Sequence, residues 1–225
     1  MNLTVIILTL NESEHIARAI RSISSLTDRI LVVDSGSTDE TVKIARELGA
    51  NVLVHSFVTQ AKQFNWALGQ LPSDTEWIFR LDADEIVSSE LITSVRSVLP
   101  NLGEEVSGAT VNRRMTFMGH SIKWGGIFPI RILRLFRYGR GRSEDRWMDE
   151  HIIVDGQIIR LSGELLDDNL KPLTSWVEKH NNYASREAFE VINNEFKLIP
   201  PDETSANLEG ATKLKRLLKE RFYYK

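Results

Sequence analysis

Short apolar runs alternate with helical patterns through the first hundred residues, and this alternation limits the fold more than any other feature. Four runs have strand length and are rich in β-branched or aromatic residues, at residues 5–10, 30–33, 52–54 and 77–81. Helical spacing follows them, at residues 16–23, 42–48, 60–68 and 88–99. Strands that alternate with helices predict βαβ crossovers and a mostly parallel sheet covered on both faces. We therefore expect a Rossmann-like α/β fold.

Two local signals mark the ends of the second helix. Ser37 and Glu40 have capping-box spacing ahead of the apolar stripe that begins at Val42. Gly49 follows the stripe in the position where glycine commonly ends a helix. The helix is therefore expected to be capped by Ser37 and to end before Gly49.

The pattern changes after Pro100, where glycine, aromatic and arginine residues crowd together. Strands suggested at residues 109–111 and 152–161 fit a mixed or antiparallel extension of the sheet. The pattern is helical again over residues 173–196. We expect the extension to hold a second substrate.

Composition excludes several classes of protein. The 28 basic and 31 acidic side chains give a formal net charge of −3, so no general polyanion binding and no nucleic-acid partner are expected. The absence of cysteine excludes disulfides, thiolate metal sites and cysteine nucleophiles. The apolar runs are far shorter than the roughly 18–20 residues of a membrane span, and residues 1–4 lack a basic signal-peptide region. We expect a cytoplasmic protein that is neither transmembrane nor exported by a cleavable signal.

Polar clusters follow three of the predicted strands, namely Asn11-Glu12, Asp34-Ser35-Gly36-Ser37 and Asp82-Ala83-Asp84. In open parallel sheets, ligands bind beyond the carboxyl ends of the strands. Two carboxylates one residue apart at such an end can hold a hard divalent cation that leaves positions open for phosphate oxygens, although either aspartate can also simply cap the turn. No glycine-rich dinucleotide fingerprint and no P-loop motif occur, which argues against dinucleotide oxidoreductases and P-loop phosphotransferases.

These clusters lie in segments that resemble a known family, TVIILTLNE at residues 4–12, ILVVDSGSTDET at 30–41 and LDADE at 81–85. Together they resemble the successive signatures of family 2 glycosyltransferases. The similarity extends to WGG at 124–126, RLFR at 134–137 and DEH at 149–151, as in the branch that adds glucose to the inner core of lipopolysaccharide. It covers roughly residues 3–185. The resemblance implies a GT-A-type fold, a nucleotide-sugar donor, a divalent cation, either Mn²⁺ or Mg²⁺, and inversion at the anomeric carbon.

The resemblance also implies three parts of the chain and a donor site. The parts are a nucleotide-sugar-binding half, an acceptor-side catalytic half of the same domain and a C-terminal helical segment, at residues 1–100, 101–170 and 171–225. Asp34 would be the acidic contact to the nucleoside, with Ser35 where the family commonly has a second acid, and Gln60 and Lys62 lie in the region that commonly approaches the diphosphate. The implied donor-binding residues are Leu8, Thr9, Leu10, Asn11, Glu12, Asp34, Ser35, Lys62, Asp82, Ala83 and Asp84.

For the cation, the resemblance implies Asp84 as a ligand, with Asp82 on the sugar or ribose side. The related branch carries a histidine after a downstream apolar stretch, where this chain has Asp167-Asp168. An aspartate can serve a hard cation as an imidazole can. The candidate metal ligands are Asp84, Asp82 and Asp167.

Inverting transfer needs a base that removes the proton of the attacking hydroxyl. The related branch has a His-Glu pair before a β-branched run and Asp-Gly, and residues 149–156 fit that order with Asp149 in place of the histidine. Glu150 is therefore the leading candidate, with Asp149, Asp145 and Glu144 as alternatives. All four also fit solvated loop acids.

A basic stretch and a basic C-terminal segment predict anionic partners. Residues 113–146 hold nine arginine or lysine side chains against two acidic ones, and arginine suits phosphate oxygens of a donor diphosphate or a phosphorylated lipid-linked glycan. The candidate acceptor or phosphate contacts are Trp124, Arg131 and Arg134. Residues 211–225 form a basic amphipathic pattern that fits either an anionic membrane surface or an ordinary terminal helix.

We therefore expect an inverting, metal-dependent transferase that moves a sugar from a UDP-sugar, with UDP-glucose as one candidate, to a cell-envelope glycan. It would act in the cytoplasm, peripherally at the inner face of the membrane. A sugar nucleotidyltransferase is an alternative, although the acidic loop at residues 11–14 lacks the glycine-rich basic sequence such enzymes show. A non-catalytic nucleotide- or glycan-binding module is the second alternative.

Overall fold

The computed structural model describes residues 1–126, 128–144 and 150–196. Within them the elements are β1 (Leu3–Thr9), α1 (Ile16–Ile23), β2 (Ile30–Asp34), α2 (Thr41–Glu47), β3 (Asn51–Val54), α3 (Gln60–Leu68), β4 (Trp77–Asp82), β5 (Glu85–Val87), α4 (Ser89–Val98), a 3₁₀ turn (Leu99–Asn101), β6 (Val106–Phe117), β7 (His120–Ser121), β8 (Ile130–Arg137), β9 (Gly141–Ser143), β10 (Ile152–Val154), β11 (Gln157–Asp168) and α5 (Leu173–Phe196). Strands and helices alternate through the first hundred residues, and strands dominate the next seventy.

One large sheet organises these elements, in the order β3-β2-β1-β4-β8-β6-β11-β5. The first four strands are parallel to one another. Beyond β4 the pairing is mixed, because β8 runs antiparallel to both β4 and β6, while β6 and β11 are parallel. The short β7 pairs with the end of β6, and β9 and β10 form a separate hairpin. The parallel half and the mixed extension predicted from the sequence are both present.

Helices cover both faces of the parallel half, as their apolar patterns predict. α1 buries Ile16, Ile20 and Ile23 on one face, and α4 buries Leu91 and Val95 against the same side of the sheet. α3 covers the opposite face. Each fully buried aliphatic side chain of this kind stabilises the fold by about 1.5–3 kcal/mol.

Most of the predicted bounds agree with the structure, and the bounds of α3 and α5 are those that the sequence predicts. Ser88 precedes α4 and caps it, because its side chain accepts a hydrogen bond from the Leu91 amide at 3.2 Å. Gly49 ends the second helix region with a φ of +84°.

Two local predictions are wrong. Ser37 does not cap α2, which begins four residues later, because its hydroxyl and amide both donate to Asp34 instead. The single strand expected over residues 152–161 is two strands, since a turn at Asp155 and Gly156, where φ is +128°, separates β10 from β11. In addition, the sequence patterns did not predict β8.

Irregularities in the mixed extension bring distant elements together. Between β6 and β8 the register shifts so that Arg134 has no partner on β6, as in a β-bulge that re-aims one side chain. A second shift in β11 lies at Gly163, where a Cβ atom would stand 2.3 Å from the Leu91 amide nitrogen. Only glycine permits this close approach of β11 to α4.

α5 follows the sheet and exposes several apolar side chains, including Leu173, Val177 and Phe196. Of the helices described, none has both the length and the apolar character needed to cross a membrane. The basic segment 211–225 lies outside the described residues. The division into parts at residues 100 and 170 stays a prediction.

Candidate active site

Three polar loops lie at the carboxyl edge of the parallel strands. The strand register pairs Thr9 of β1 with Asp34 of β2, and Leu8 of β1 with Asp82 of β4. The loops that follow these strands therefore begin side by side, as the sequence predicts from the position of their polar residues.

Asp34 is the centre of the second loop. Its side chain is buried and accepts hydrogen bonds from the Thr9 hydroxyl at 3.1 Å, the Gly36 and Ser37 amides at 2.9 and 2.7 Å, and the Ser37 hydroxyl at 2.5 Å. Gly36 permits the turn because its φ is +97°. Both carboxylate oxygens of Asp34 are thus engaged inside the protein, where they fix the loop shape.

The first loop is fastened to the second. Asn11, which has a φ of +54°, donates its amide to the Ser37 hydroxyl at 2.8 Å and accepts from the Thr38 amide at 2.9 Å. Leu8 packs against the core, whereas Leu10 is 48% exposed at the loop. The two loops form one rigid rim with an exposed apolar side chain.

Glu12 is held from two directions. Its carboxylate receives hydrogen bonds from the buried His15 at 2.5 Å and from the Lys171 ammonium at 2.7 Å. His15 Nε2 accepts from the Leu170 amide at 2.8 Å, which leaves its Nδ1 protonated and donating to Glu12. Burial acts to raise the pKa of Glu12, but His15 and Lys171 outweigh it and lower that pKa. Glu12 is therefore an ionised, fixed side chain.

The remaining donor-side predictions fall on α3 and its neighbours. Ser35 exchanges hydrogen bonds with the buried Gln63 side chain, at 2.8 and 3.1 Å. Lys62 is exposed on α3, where its amide donates to the Thr59 cap. Ser35 is thus tied to the protein, while the Lys62 ammonium lies at the surface.

Two buried arginines flank Asp82. Arg134 donates to the Asp82 carboxylate at 2.6 Å, and the Arg80 Nε lies 3.7 Å from the other oxygen. Burial alone would raise the pKa of Asp82, but the charges of Arg134 and Arg80 outweigh it and hold the pKa well below its usual range. Asp82 is therefore ionised, and the hydrogen bond from Arg134 orients it.

Glu85 completes this cluster beneath the loop. Its carboxylate accepts from Arg134 at 2.5 Å and from the Asp82 amide at 2.9 Å, and the side chain is 1% exposed. Burial is the main reason that the pKa of Glu85 is raised to about 7, and the negative charge of Asp82 adds to it.

Asp84 and Asp167 are neighbours at this edge, where β11 runs beside β5. β5 and β11 pair Glu85 with Asp167, and the Asp168 amide donates to the Asp84 carbonyl at 3.0 Å. Burial, followed by the negative charge of Asp84, raises the pKa of Asp167 to about 6. Two acids 83 positions apart in the sequence thus lie near enough for the charge of one to act on the other, and their role as metal ligands stays a prediction.

This pair fits a hard cation that takes part of its ligands from phosphate, since the mutual repulsion of two carboxylates is relieved by a positive charge between them. Asp82 differs from the predicted ligand set because its carboxylate is directed to Arg134. Within residues 1–126, 128–144 and 150–196, no three acidic or histidine side chains converge as a preformed metal centre. The fit therefore rests on Asp84 and Asp167.

The segment after β11 ties this edge together. Arg18 of α1 pairs with Asp168 at 2.8 Å, and the Asn169 side-chain amide donates to the Asp84 carboxylate at 3.0 Å. With the Leu170 and Lys171 contacts to the first loop, residues 168–171 bridge the first and third loops.

Glu150 lies at the same edge, 13% exposed, with its carboxylate 3.4 Å from an Arg80 nitrogen. Glu144 is 1% exposed and accepts from the His151 amide at 3.2 Å. Asp145 and Asp149 lie outside the described residues. Arg80 thus lies next to both Glu150 and Asp82.

Several arginines of the basic stretch have partners inside the protein. Arg113 lies 3.8 Å from Asp167, Arg114 pairs with Glu164 at 2.5 Å, and Arg137 donates to main-chain carbonyls. Arg134 differs from the expected acceptor or phosphate contact, because it is buried and bound to Asp82 and Glu85. These pairings use acids that are distant in the sequence.

Two of the predicted acceptor contacts do lie at the surface. Arg131 is exposed and donates to Asn112 at 3.3 Å, and Trp124 is 85% exposed in the loop after β7.

Sequence reasoning missed several members of the site, among them Arg80, His15, Glu85 and Lys171. A charged residue inside the otherwise apolar run of β4 was a signal that could have identified Arg80. His15 and Lys171 carry no local signal, since they meet only through the crossing of residues 168–171 over the first loop.

Comparison with known proteins bears on this arrangement. An uncharacterized glycosyltransferase of Rickettsia prowazekii is 38% identical over 103 residues, which cover 46% of this chain and 35% of that protein. The chain thus spans about a third of the length of this relative. The lipopolysaccharide core biosynthesis glycosyltransferase LpsC of Rhizobium meliloti is 29% identical over 196 residues, which cover 83% of this chain and 70% of LpsC.

Two solved structures overlap with part of the fold. Glucosyl-3-phosphoglycerate synthase of Mycobacterium tuberculosis, in complex with Mn²⁺, UDP and glucosyl-3-phosphoglycerate, is 23% identical with a TM-score of 0.42, covering 51% of this chain and 44% of that one. TarS of S. aureus is 18% identical with a TM-score of 0.47, covering 61% and 47%.

A family model described as glycosyl transferase family 2 matches residues 4–192, which is most of the chain. The match agrees with the motifs, and the parallel half with its mixed extension confirms the GT-A-type α/β fold class expected from them. The chain therefore belongs to glycosyl transferase family 2.

Proposed function

We propose that this chain transfers a sugar from a UDP-sugar, with UDP-glucose as one candidate donor, to a cell-envelope glycan such as the core of lipopolysaccharide. The observation that carries the proposal is the meeting of Asp82, Asp84 and Asp167 with the first two polar loops at one edge of the sheet. The likeness to LpsC over most of this chain supports the lipopolysaccharide acceptor.

The donor's nucleoside would lie against the rim formed by the first two loops. The proposed contacts to uracil and ribose are Leu8, Thr9, Leu10, Asn11 and Glu12. Because Asp34 already accepts from Thr9, Gly36 and Ser37, we assign it the shaping of the loop that faces the nucleoside. Lys62, exposed on α3, is free to reach toward the diphosphate.

Asp84 and Asp167 would hold the divalent cation, Mn²⁺ or Mg²⁺, and Asp82 would face the sugar or ribose. When bound, such a cation offsets the charge that develops on the leaving diphosphate. Arg134 holds Asp82 in place, and the charges of Arg134 and Arg80 keep it ionised, so its acceptor oxygens are set for a sugar hydroxyl before the donor arrives.

Glu150 would act as the base. In a single displacement, the acceptor oxygen bonds to the anomeric carbon as the bond to the UDP oxygen breaks, and the hydroxyl proton passes to the carboxylate. The configuration at the anomeric carbon is then inverted. Asp149 and Asp145 stay alternative bases.

The acceptor would approach from the side of the mixed extension, where Trp124 and Arg131 are exposed. A lipid-linked glycan would bring the protein to the cytoplasmic face of the membrane, and the basic amphipathic pattern of residues 211–225 suits a peripheral contact with anionic lipid. This location is part of the proposal.

Calorimetric titration tests the donor assignment before any acceptor is identified. UDP is titrated into the protein with Mn²⁺ and then with EDTA, and CDP serves as the control nucleotide. We expect UDP to bind in Mn²⁺ at least about tenfold more tightly than in EDTA, and CDP to bind more weakly than UDP. Equal binding of both nucleotides, or no binding, would contradict the donor assignment.

The stereochemistry is tested with the product. Transfer from UDP-α-glucose to a lipopolysaccharide core acceptor should give a β-linked glucose, which the anomeric proton coupling in an NMR spectrum reports. An α-linked product would contradict the single displacement.

A further inference from the structure

We infer that Arg80 is a positioning residue, which with Gln60 fixes the carboxylate of Glu150 at the edge of the donor site. The inference rests on the proposed function, in which Glu150 is the base. It goes beyond that function because it names the groups that set the base in place.

Arg80 is held rigidly within the sheet. It lies on β4, is 5% exposed, and its guanidinium carbon stands 5.3 Å from the centre of the buried Phe64 ring. Its strand neighbour β8 carries Arg134 at the bulge, so the 2.6 Å hydrogen bond that orients Asp82 comes from Arg134, while Arg80 at 3.7 Å contributes charge and no hydrogen bond. Arg80 is thus available to act on a second acid.

That second acid is Glu150. The Arg80 guanidinium lies 3.4 Å from Glu150 Oε1. In the amide orientation that satisfies both neighbours, Gln60 donates to the same Glu150 oxygen at 3.1 Å and accepts from Arg80 at 2.7 Å. The three side chains form a closed triangle, in which each contact restricts the other two.

α3 supports this triangle from its first turn. Thr59 caps the helix by accepting from the Lys62 amide at 3.1 Å, which places Gln60 at the first helical position. Further along the same helix, the Asn65 amide group both donates to and accepts from the Ser143 main chain, at 2.9 Å each. Ser143 and Glu150 flank residues 144–149, so α3 holds the chain on both sides of this segment.

A main-chain hydrogen bond also joins the chain at the two ends of this segment. The Glu144 amide donates to the His151 carbonyl at 3.0 Å, which continues the pairing of β9 with β10. Glu150 therefore directly precedes an anchored main-chain pair, and its carboxylate contacts the buried Arg80 guanidinium. A displacement of about 1 Å in a catalytic group can reduce the rate about a hundredfold, so such anchoring bears directly on turnover.

The test compares kcat and KM for sugar transfer from UDP-glucose in Arg80→Met, Arg80→Lys, Gln60→Ala and Glu150→Gln. Arg80→Met should lower kcat about a hundredfold and Gln60→Ala about tenfold, with the donor KM changed by less than about threefold. Arg80→Lys keeps the charge but loses the planar fork, so we expect it to recover about tenfold of the loss.

Two comparisons separate positioning from a structural effect. Arg137→Met removes another arginine of the sheet, which stacks on Trp77 at 4.8 Å far from Glu150, and should lower the thermal midpoint without lowering kcat. In the Glu150→Gln background, Arg80→Met should lower the residual rate by less than about threefold, because a residue that acts through Glu150 has no further effect once that carboxylate is gone.

Several results would overturn the inference. These are an unchanged kcat in both Arg80→Met and Gln60→Ala, losses that multiply in the Glu150→Gln background, and a rise in donor KM in place of the fall in kcat. If Arg80→Met does not fold, Gln60→Ala alone decides, since Gln60 lies at a helix start and its loss leaves no buried charge. Sugar transfer by the parent with no response to these variants refutes the inference alone, whereas no transfer by the parent refutes the proposed function and the inference with it.

Discussion

The donor-side loops and strand β8 satisfy their charged side chains in opposite ways. Asp34 binds the amides of Gly36 and Ser37, two and three positions away in the sequence. Arg134 binds Asp82 and Glu85, which lie 52 and 49 positions away. The Asp34 turn is therefore shaped by amides close in the sequence, whose pattern the sequence displays, while β8 depends on long-range charge pairs that form only in the folded sheet.

This difference explains why part of the basic stretch is internal. Arg113, Arg114 and Arg134 meet acids of β5, β11 and the third loop, so these charges hold the acceptor-side strands to the donor edge. A run of arginines in the sequence predicts a binding surface only where no acids from elsewhere in the fold reach it.

Removing the donor-side acid should have the largest effect on activity. Asp84→Asn takes away one of the two carboxylates proposed for the cation, and we expect transfer from UDP-glucose to fall about a thousandfold, since charge stabilisation of the leaving group supplies several kcal/mol. The UDP affinity of this variant should no longer depend on Mn²⁺. The measurements are initial rates and calorimetry.

Asp74→Asn is the matched control for Asp84→Asn, because Asp74 pairs with Arg29 on the surface at the opposite end of the strands. It should transfer sugar at the parent rate. Equal activity of Asp84→Asn and the parent would show that this edge does not serve the donor.

On the acceptor side, the largest effect should be on stability. Arg134→Met leaves Asp82 and the buried Glu85 without their shared cation, which we expect to cost about 3–5 kcal/mol in the free energy of unfolding. Urea denaturation measures it. Arg131→Met, on the same strand but exposed, should change stability by less than about 0.5 kcal/mol. Equal stability of the two variants would contradict this structural role and favour the acceptor or phosphate contact that the sequence alone suggested for Arg134.

The sequence predicted the parallel half because its signals are local. Strands β1, β2 and β4 are buried apolar runs, and the Ile16, Ile20 and Ile23 stripe marks one face of α1. The same logic predicted that the polar loops would meet at one edge. Local pattern is sufficient there because each strand pairs with a parallel neighbour through a helix of ordinary length.

The mixed half could not be predicted in the same way. The bulge at Arg134 and the turn at Gly156 depend on the partner strands, and nothing near Arg80 announces its contact with Glu150, 70 positions away. The meeting of Asp84 with Asp167 was predicted from the family resemblance, not from any local pattern. Long-range pairs of this kind carry little signal in one sequence.

Asp167 offers a pH-dependent contrast. Burial and the charge of Asp84 raise its folded-state pKa to about 6, so the folded protein keeps a proton that the unfolded chain releases from about pH 4 upward. Without divalent cations, stability should therefore fall as pH rises from about 4 to 6, and Asp167→Asn should be more stable than the parent by about 2 kcal/mol at pH 7. Urea titrations in EDTA at several pH values test this, and an Asp167→Asn protein that is less stable at pH 7 would contradict it.

Asp39, at the donor rim, should show the opposite slope on a smaller scale. Burial acts to raise its pKa, but hydrogen bonds from Thr41 and Ser13 outweigh it and lower the pKa to about 2. The stabilisation is then present above about pH 4 and is lost as the pH falls toward 2. Because the site is partly exposed, Asp39→Asn should cost only about 1 kcal/mol at pH 7 and should flatten the acid limb of the stability curve.

Asp28→Asn is the matched control for Asp39→Asn, since Asp28 is an exposed aspartate at the opposite end of the strands, before β2. It should leave both stability and the acid limb unchanged. If Asp39→Asn and Asp167→Asn shifted stability in the same direction at pH 7, the contrast between an acid satisfied by hydrogen bonds and an acid beside another carboxylate would fail. Opposite shifts in stability would show that the same electrostatic rules act on both acids. Hydrogen bonds from amides and hydroxyls stabilise the ionised form of Asp39, whereas burial and a neighbouring carboxylate destabilise the ionised form of Asp167.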